Sequence, residues 1–192
     1  MRLTLILLLA YFAGSINFAI ILLRLLHKDD PRTKFSGNAG TTNVYRQAGI
    51  GWAAVVLLLD AGRAVGLAAI ALGGLPLALV PWVGTALVAG NRFPCFHRFQ
   101  GGKGVASFLG FTILLVPWGA LLSCLVWVAV YRIVRIPFIA SFFMVLTLGG
   151  ATVIAYDTPA AAVTGTAVTV LLIFFNHWKN IVTLLAERRR RT

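Results

Sequence analysis

Long apolar runs leave this chain few ways to fold. Residues 3–26, 50–72, 75–89, 105–130, 136–154 and 158–175 carry very few charges. Hydrocarbon offers a backbone no hydrogen-bond partner, so such runs must satisfy their N–H and C=O groups within helices. About 20 residues cross a bilayer, and shorter runs fit where they tilt or stay inside a bundle. Gly73-Gly74-Leu75-Pro76 marks a turn between the second and third runs. Pro117 follows Leu114-Leu115-Val116 and breaks residues 105–130 into 105–116 and 117–130. The expectation is an all-α, polytopic membrane helix bundle of about seven spans, folded as one domain.

Charge sets the sidedness. The 192 residues are 59% hydrophobic and 11% charged, with a formal net charge of +12. In a soluble protein that charge would suggest nucleic acid. Here the cations flank apolar spans, where orientation and anionic headgroups account for them, so no nucleic-acid partner is expected. With seven spans, loops 27–47, 90–104 and 132–135 and the tail 176–192 share one face. That face holds nearly all the Lys and Arg, while the other has little beyond Arg2 and Asp157. The positive-inside rule makes the basic face cytoplasmic and puts the N-terminus outside. Six spans would divide the basic loops between the two sides. Ala13-Gly14-Ser15 mimics a cleavage site, but apolar residues continue to Leu26, so a retained first helix is expected. Cys95 and Cys124 are too few for a disulfide framework or a cysteine-based zinc site.

Three polar stretches interrupt this pattern on the basic face. The first is Ser36-Gly37-Asn38-Ala39-Gly40-Thr41-Thr42-Asn43-Val44-Tyr45-Arg46. Gly37 and Gly40 permit close backbone approach to a ligand, and Ser36, Asn38, Thr41, Thr42 and Asn43 are compact donors and acceptors. Arg46 grips phosphate through paired N–H groups. The plainer reading is a polar turn, with Thr41 or Thr42 capping a helix and Arg46 as a membrane anchor. The second stretch, Gly101-Gly102-Lys103-Gly104, runs into a helical start, a ready anion site with a full charge added. It lacks the spacing of a Walker A loop, so nucleotide hydrolysis is not supported. The plainer reading is a flexible connector. The third stretch sets His177 and Asn180 three apart after the last apolar run. His177 is a base, an acid, a donor to phosphate or an interfacial residue. Lys179 and the arginines at 188–191 read as lipid-facing anchors. Asp60 and Arg63 lie within the second span, either as a functional pair or as a structural ion pair. No His, Asp and Glu set has metal-ligand spacing.

The motifs Ser36-Gly37-Asn38-x-Gly40-x-Thr42-Asn43-x-x-Arg46, Gly101-Gly102-Lys103-Gly104-Val105-Ala106 and His177-x-x-Asn180-Ile181 resemble, in order and spacing, those of the bacterial acyl-phosphate:glycerol-3-phosphate acyltransferase family. The resemblance covers nearly the whole chain. It implies transfer of a fatty acyl group from acyl phosphate to the 1-hydroxyl of glycerol 3-phosphate, giving lysophosphatidic acid and inorganic phosphate. Departures are Phe35 and Ala39 where the family often has Gly and Pro, Asn91 for a His, Arg63 for a Lys, Thr183 for an Arg, and a displaced Glu187. Ser141 is similar to a family serine near the site.

Acyl phosphate is already activated, so no cofactor or metal is expected. The implied catalytic residues are Ser36, Arg46, Lys103, His177 and Asn180. Gly37, Asn38, Gly40, Thr42, Asn43, Gly101, Gly102, Gly104 and Ser141 would bind substrate. Lys103, Arg46 and the N–H groups of residues 101–104 go to phosphate oxygens, with His177 and Asn180 on glycerol 3-phosphate. Ser36 has no recognisable base, which favours direct transfer over an acyl-enzyme. The partners expected are the two substrates and membrane lipids, with the chain a monomer in the bacterial inner membrane. The competing class is a small transporter of phosphorylated anions. Transporters show repeated halves and a midplane site, and neither is visible here.

Overall fold

The computed structural model describes residues 1–155 and 159–189, without the side chain of residue 188. Asp157, Arg190 and Arg191, read above as charges near the membrane faces, lie outside the described residues. Ten α-helices are described: α1 Arg2–Ser15, α2 Phe18–Leu25, α3 Thr41–Ala48, α4 Ile50–Gly74, α5 Val80–Arg92, α6 Val105–Leu115, α7 Pro117–Val134, α8 Pro137–Ala155, α9 Ala160–Asn176 and α10 Trp178–Arg189. No strand is present among the described residues.

The apolar runs all become helices, of unequal length. Four are long and apolar enough to cross: Arg2–Leu25, Ile50–Gly74, Pro117–Val134 and Pro137–Ala155. A fifth arises if α9 and α10, bent by 44°, are taken together. The expected seven therefore includes α5 and α6, which at 13 and 11 residues reach only part of the way across at ~1.5 Å per residue. Both lead into or out of loop 93–104, so their shortness draws that loop toward the bilayer.

Two breaks have clear causes. Pro117 opens α7 directly after α6 ends at Leu115, as its missing N–H and fixed φ dictate. The first run contains a break that its hydropathy conceals. Ile16 and Asn17 are extended, and the Asn17 side chain caps α2 by accepting from the Ile20 N–H at 3.0 Å. The carbonyls freed at the end of α1 are met by Arg63 of α4. Its guanidinium donates to Ala13 O at 3.0 Å and to Ile16 O, and lies over the Phe18 ring at 5.2 Å. The same group donates to Asp60 at 2.9 Å and to Ser107 of α6 at 3.1 Å. Asp60 and Arg63 thus form a structural ion pair that also holds a broken helix together.

Three apolar clusters fill the interior. One joins Ala10, Leu67, Val83, Leu87 and Phe111 across α1, α4, α5 and α6. Another joins Phe108, Ala120, Met144, Leu148 and Ile173 across α6 to α9. A third, with Leu23, Val44 and Val56, seats α3 against α2 and α4. Polar pairs lock α5 to α9: Thr85 and Thr169 hydroxyls meet at 2.7 Å, and the Trp82 indole donates to Ala161 O at 3.0 Å. The loops and helix ends that carry the polar stretches are left at one end of this bundle.

Candidate active site

Loop 26–40 is shaped from inside by Asn43, the third residue of α3. Its buried amide donates to the carbonyls of Pro31, Lys34 and Asn38 at 2.7, 3.0 and 3.0 Å. Asn17 adds a bond to Ala39 O at 3.2 Å. The loop in turn grips the next one. Arg32, paired with Asp30 at 2.5 Å, donates to His97 O at 2.8 Å, and the Ala39 N–H points to Gly101 O at 3.5 Å. That guanidinium holds the Asp30 carboxyl below its usual range, so the brace remains charged well into acid. Ser36 and Thr42 are exposed at the surface this bracing creates, with Asn38 half-buried beside them. Gly40, not Thr41 or Thr42, caps α3, and it offers no side-chain bond. The threonine hydroxyls are therefore not used as helix caps. Phe35 adopts φ 51°, in the left-handed region. This accounts for the glycine often found there, since a side chain at such a position is strained. Arg46 lies over the Phe35 ring at 5.7 Å.

The glycine loop is built to fit tightly against the end of α5. Gly101 and Gly102 donate their N–H groups to Arg92 O and Asn91 O at 3.2 and 2.9 Å. A Cβ on Gly102 would lie 2.5 Å from Asn91 Oδ1 and 2.9 Å from Ala39 O. The expectation that these two N–H groups face phosphate is thus corrected: α5's final carbonyls take them. Gly104 is left-handed, with φ 87°, and opens α6. The turn leaves Lys103 extended from the loop at the start of that helix.

Lys103 is the meeting point of the three stretches. Its ammonium donates to Asn180 Oδ1 at 2.5 Å, and its carbonyl accepts from Asn176 Nδ2 at 3.1 Å. Arg46 and Arg92 lie close enough to act on it electrostatically. Among the described residues the ion pairs are Arg32–Asp30, Lys34–Asp29 and Arg63–Asp60, so none neutralises Lys103, Arg46 or Arg92. Burial, then the charges of Arg46 and Arg92, lowers the Lys103 pKa to about 8. Three cations gathered without a carboxylate form a site that is electrostatically incomplete until an anion enters.

His177 follows the end of α9 and is 2% exposed. Its Nδ1 lies 2.8 Å from Ile173 O. A carbonyl only accepts, so Nδ1 carries the proton and Nε2 presents a lone pair. The ring sits against Phe138 and Phe142 at 6.4 and 5.1 Å between centroids. Phe142 stacks on Phe174 at 4.2 Å. Burial first, and then the charge of Lys103, lowers the His177 pKa to about 4. The imidazole is therefore neutral at ordinary pH.

The fold thus brings Arg46, Lys103, His177 and Asn180 to one end of the bundle, with Ser36 exposed on the braced first loop. Ser141 lies on α8 beside Phe142, but its hydroxyl donates to Pro137 O at 3.0 Å and accepts from the Trp127 indole at 3.2 Å. Glu187 is exposed near the far end of α10. Sequence reasoning passed over Asn17, Arg32, Arg92 and Asn176. Asn176 adjoins His177 directly, and its position as a polar residue closing an apolar run was the available signal.

Comparison with known proteins identifies the family and the fold. The family described as glycerol-3-phosphate acyltransferase matches residues 4–187. A glycerol-3-phosphate acyltransferase of Pseudomonas fluorescens Pf-5 is 40% identical over 183 residues, covering 94% of this chain and 95% of that one. One from Myxococcus xanthus is 41% identical over 187 residues, covering 96% of each. The crystal structure of PlsY (YgiH), an integral membrane glycerol 3-phosphate acyltransferase, in its glycerol 3-phosphate form superposes with a TM-score of 0.89 at 31% identity, covering 98% of this chain and 94% of that one. Its lysophosphatidic acid form gives a TM-score of 0.87 at 30% identity, with the same coverage of both chains.

Proposed function

The chain belongs to the glycerol-3-phosphate acyltransferase family, and on that premise we propose that it transfers a fatty acyl group from acyl phosphate to the 1-hydroxyl of glycerol 3-phosphate. The products are lysophosphatidic acid and inorganic phosphate. One observation carries the choice of an activated phosphate donor. Lys103 lies near Arg46 and Arg92 with no carboxylate paired to it among the described residues, and its ammonium is held by the neutral Asn180. Such a site suits two reactants that each bear phosphate and would otherwise repel one another.

In the reaction the glycerol oxygen forms a bond to the acyl carbon, and the bond from that carbon to phosphate oxygen breaks. Lys103 and Arg46 hold phosphate oxygens and offset charge as it develops. The N–H groups of the first turn of α6 replace those of Gly101 and Gly102 as backbone donors. Ser36, Asn38 and Thr42 line the donor side, with Gly37 and Gly40 shaping their loop and Asn43 bracing it from within. His177 Nε2 accepts from the glycerol hydroxyl. A neutral imidazole of such low basicity orients that hydroxyl, and the proton passes to the departing phosphate. Direct transfer is favoured, because among the described residues no hydrogen bond joins Ser36 to a histidine or lysine. Ser141 supports the site through α8. The basic loops support a reaction at the cytoplasmic face of the inner membrane, and with seven spans the N-terminus lies outside.

The test is phosphate release from palmitoyl phosphate by purified protein. Release that depends on glycerol 3-phosphate, with lysophosphatidic acid formed in equal amount, supports the reading. Movement of glycerol 3-phosphate across vesicles without acylation would establish a carrier instead.

A further inference from the structure

Six exposed apolar side chains form a single stripe: Val168, Leu171 and Phe175 on α9, then Trp178, Val182 and Leu185 on α10. Their spacing alternates between three and four residues, the interval that keeps side chains on one side of a helix. The same three/four interval runs on either side of the 44° bend between the two helices. On α9 this side is exposed on the outside of the apolar bundle. On α10 the three residues remain 61%, 46% and 55% exposed. The opposite side carries Lys179, Thr183 and Glu187, all exposed, together with Asn180. Glu187, Arg188 and Arg189 make the end of α10 too polar for hydrocarbon.

We infer that α10 is an interfacial helix: its Trp178–Val182–Leu185 edge lies in the headgroup boundary of an anionic bilayer, and this seating holds Asn180 against Lys103. Three features favour lipid as the occupant. The edge follows the exposed apolar side chains of α9, a helix of a bundle built from apolar runs. It begins with a tryptophan at the depth where the apolar bundle ends, the place such rings favour in bilayers. Lys179 lies on the helix itself, and the sequence that closes the chain is rich in arginine, a charge that suits anionic headgroups. The bilayer thereby becomes a structural part of the catalytic site. Asn180, the hydrogen-bond acceptor of Lys103, is carried by the helix that the lipid surface supports.

The experiment uses the full chain in vesicles of phosphatidylglycerol and phosphatidylethanolamine. In a Cys95→Ser, Cys124→Ser background, nitroxides are attached at Val182→Cys, Leu185→Cys, Thr183→Cys and Glu187→Cys. Labels at 182 and 185 should collide with dissolved oxygen, and labels at 183 and 187 with a water-soluble nickel chelate. Equal access of the chelate to all four overturns the seating. Shielding of 182 and 185 from both reagents overturns it too, by showing a protein or a second copy on the edge. The link to turnover rests on the acyl-transfer reading. Val182→Asp should lower turnover about tenfold in these vesicles, since a carboxylate does not remain in the apolar boundary, while Thr183→Asp changes it little. Equal effects of the two would break the link between seating and catalysis. Wild-type protein that acylates no glycerol 3-phosphate would sink the acyl-transfer reading instead, and the collision pattern would still decide where α10 lies.

Discussion

Lys103, half-buried, and His177, buried, are neighbours, and burial weakens the hold of each on its proton, yet their surroundings give them opposite tasks. Lys103 faces Arg46 and Arg92 and is bonded to the neutral Asn180. It stays charged through neutral pH and lacks only an anion. His177 is packed against Phe138 and Phe142, with its Nδ1 proton fixed on Ile173 O. It stays uncharged and offers a lone pair. The contrast shows how one crowded corner separates holding charge from accepting a hydrogen bond. A second cation at His177 would add to the repulsion around Lys103, and the aromatic packing prevents it.

The largest test removes the charged partner. Lys103→Ala should cut kcat/KM by about 10²–10³-fold, the usual loss when one donor to developing charge is deleted, read as phosphate release dependent on glycerol 3-phosphate. A loss under threefold would remove Lys103 from the chemistry. His177→Ala should cost somewhat less, about 10²-fold, and should lower kcat more than it raises KM. An equal loss in a His177→Phe variant would show that the lone pair, not the ring's shape, is what counts.

The next test is pH. Lys103 is cationic below its lowered pKa of about 8 and neutral above it. The kcat/KM for glycerol 3-phosphate should therefore hold on the acid side and fall as pH rises through that value. Lys103→Arg, less active because its fork differs in shape, should move this alkaline limb upward. An unmoved limb would assign it to another group. The smallest effect concerns the edge of the site. Phe35→Gly should relieve left-handed strain on the order of 1–3 kcal/mol and raise the melting temperature. It should also weaken phosphate binding a few-fold by removing the ring beneath Arg46.

The sequence made the helices readable because hydrocarbon forces apolar runs into them, and Pro117 fixed a boundary that the fold keeps. Lys103, Arg46, His177 and Asn180 were legible by type and spacing. What escaped were features settled only by tertiary contact. Nothing in Gly101-Gly102 reveals that their N–H groups are taken by the last carbonyls of α5. Asn43 resembles a substrate ligand in sequence, yet its amide turns inward to three carbonyls of its own loop. The break at Asn17 was hidden because the residues on either side are apolar, and hydropathy does not register a cap.

The unneutralised cations have a consequence beyond catalysis. The cations around Lys103 must borrow their counter-ions from the surrounding solution. Sulfate, chloride and inorganic phosphate all compete there with an anionic substrate. The ionic make-up of the surrounding solution thereby sets how readily an anionic substrate fills the site.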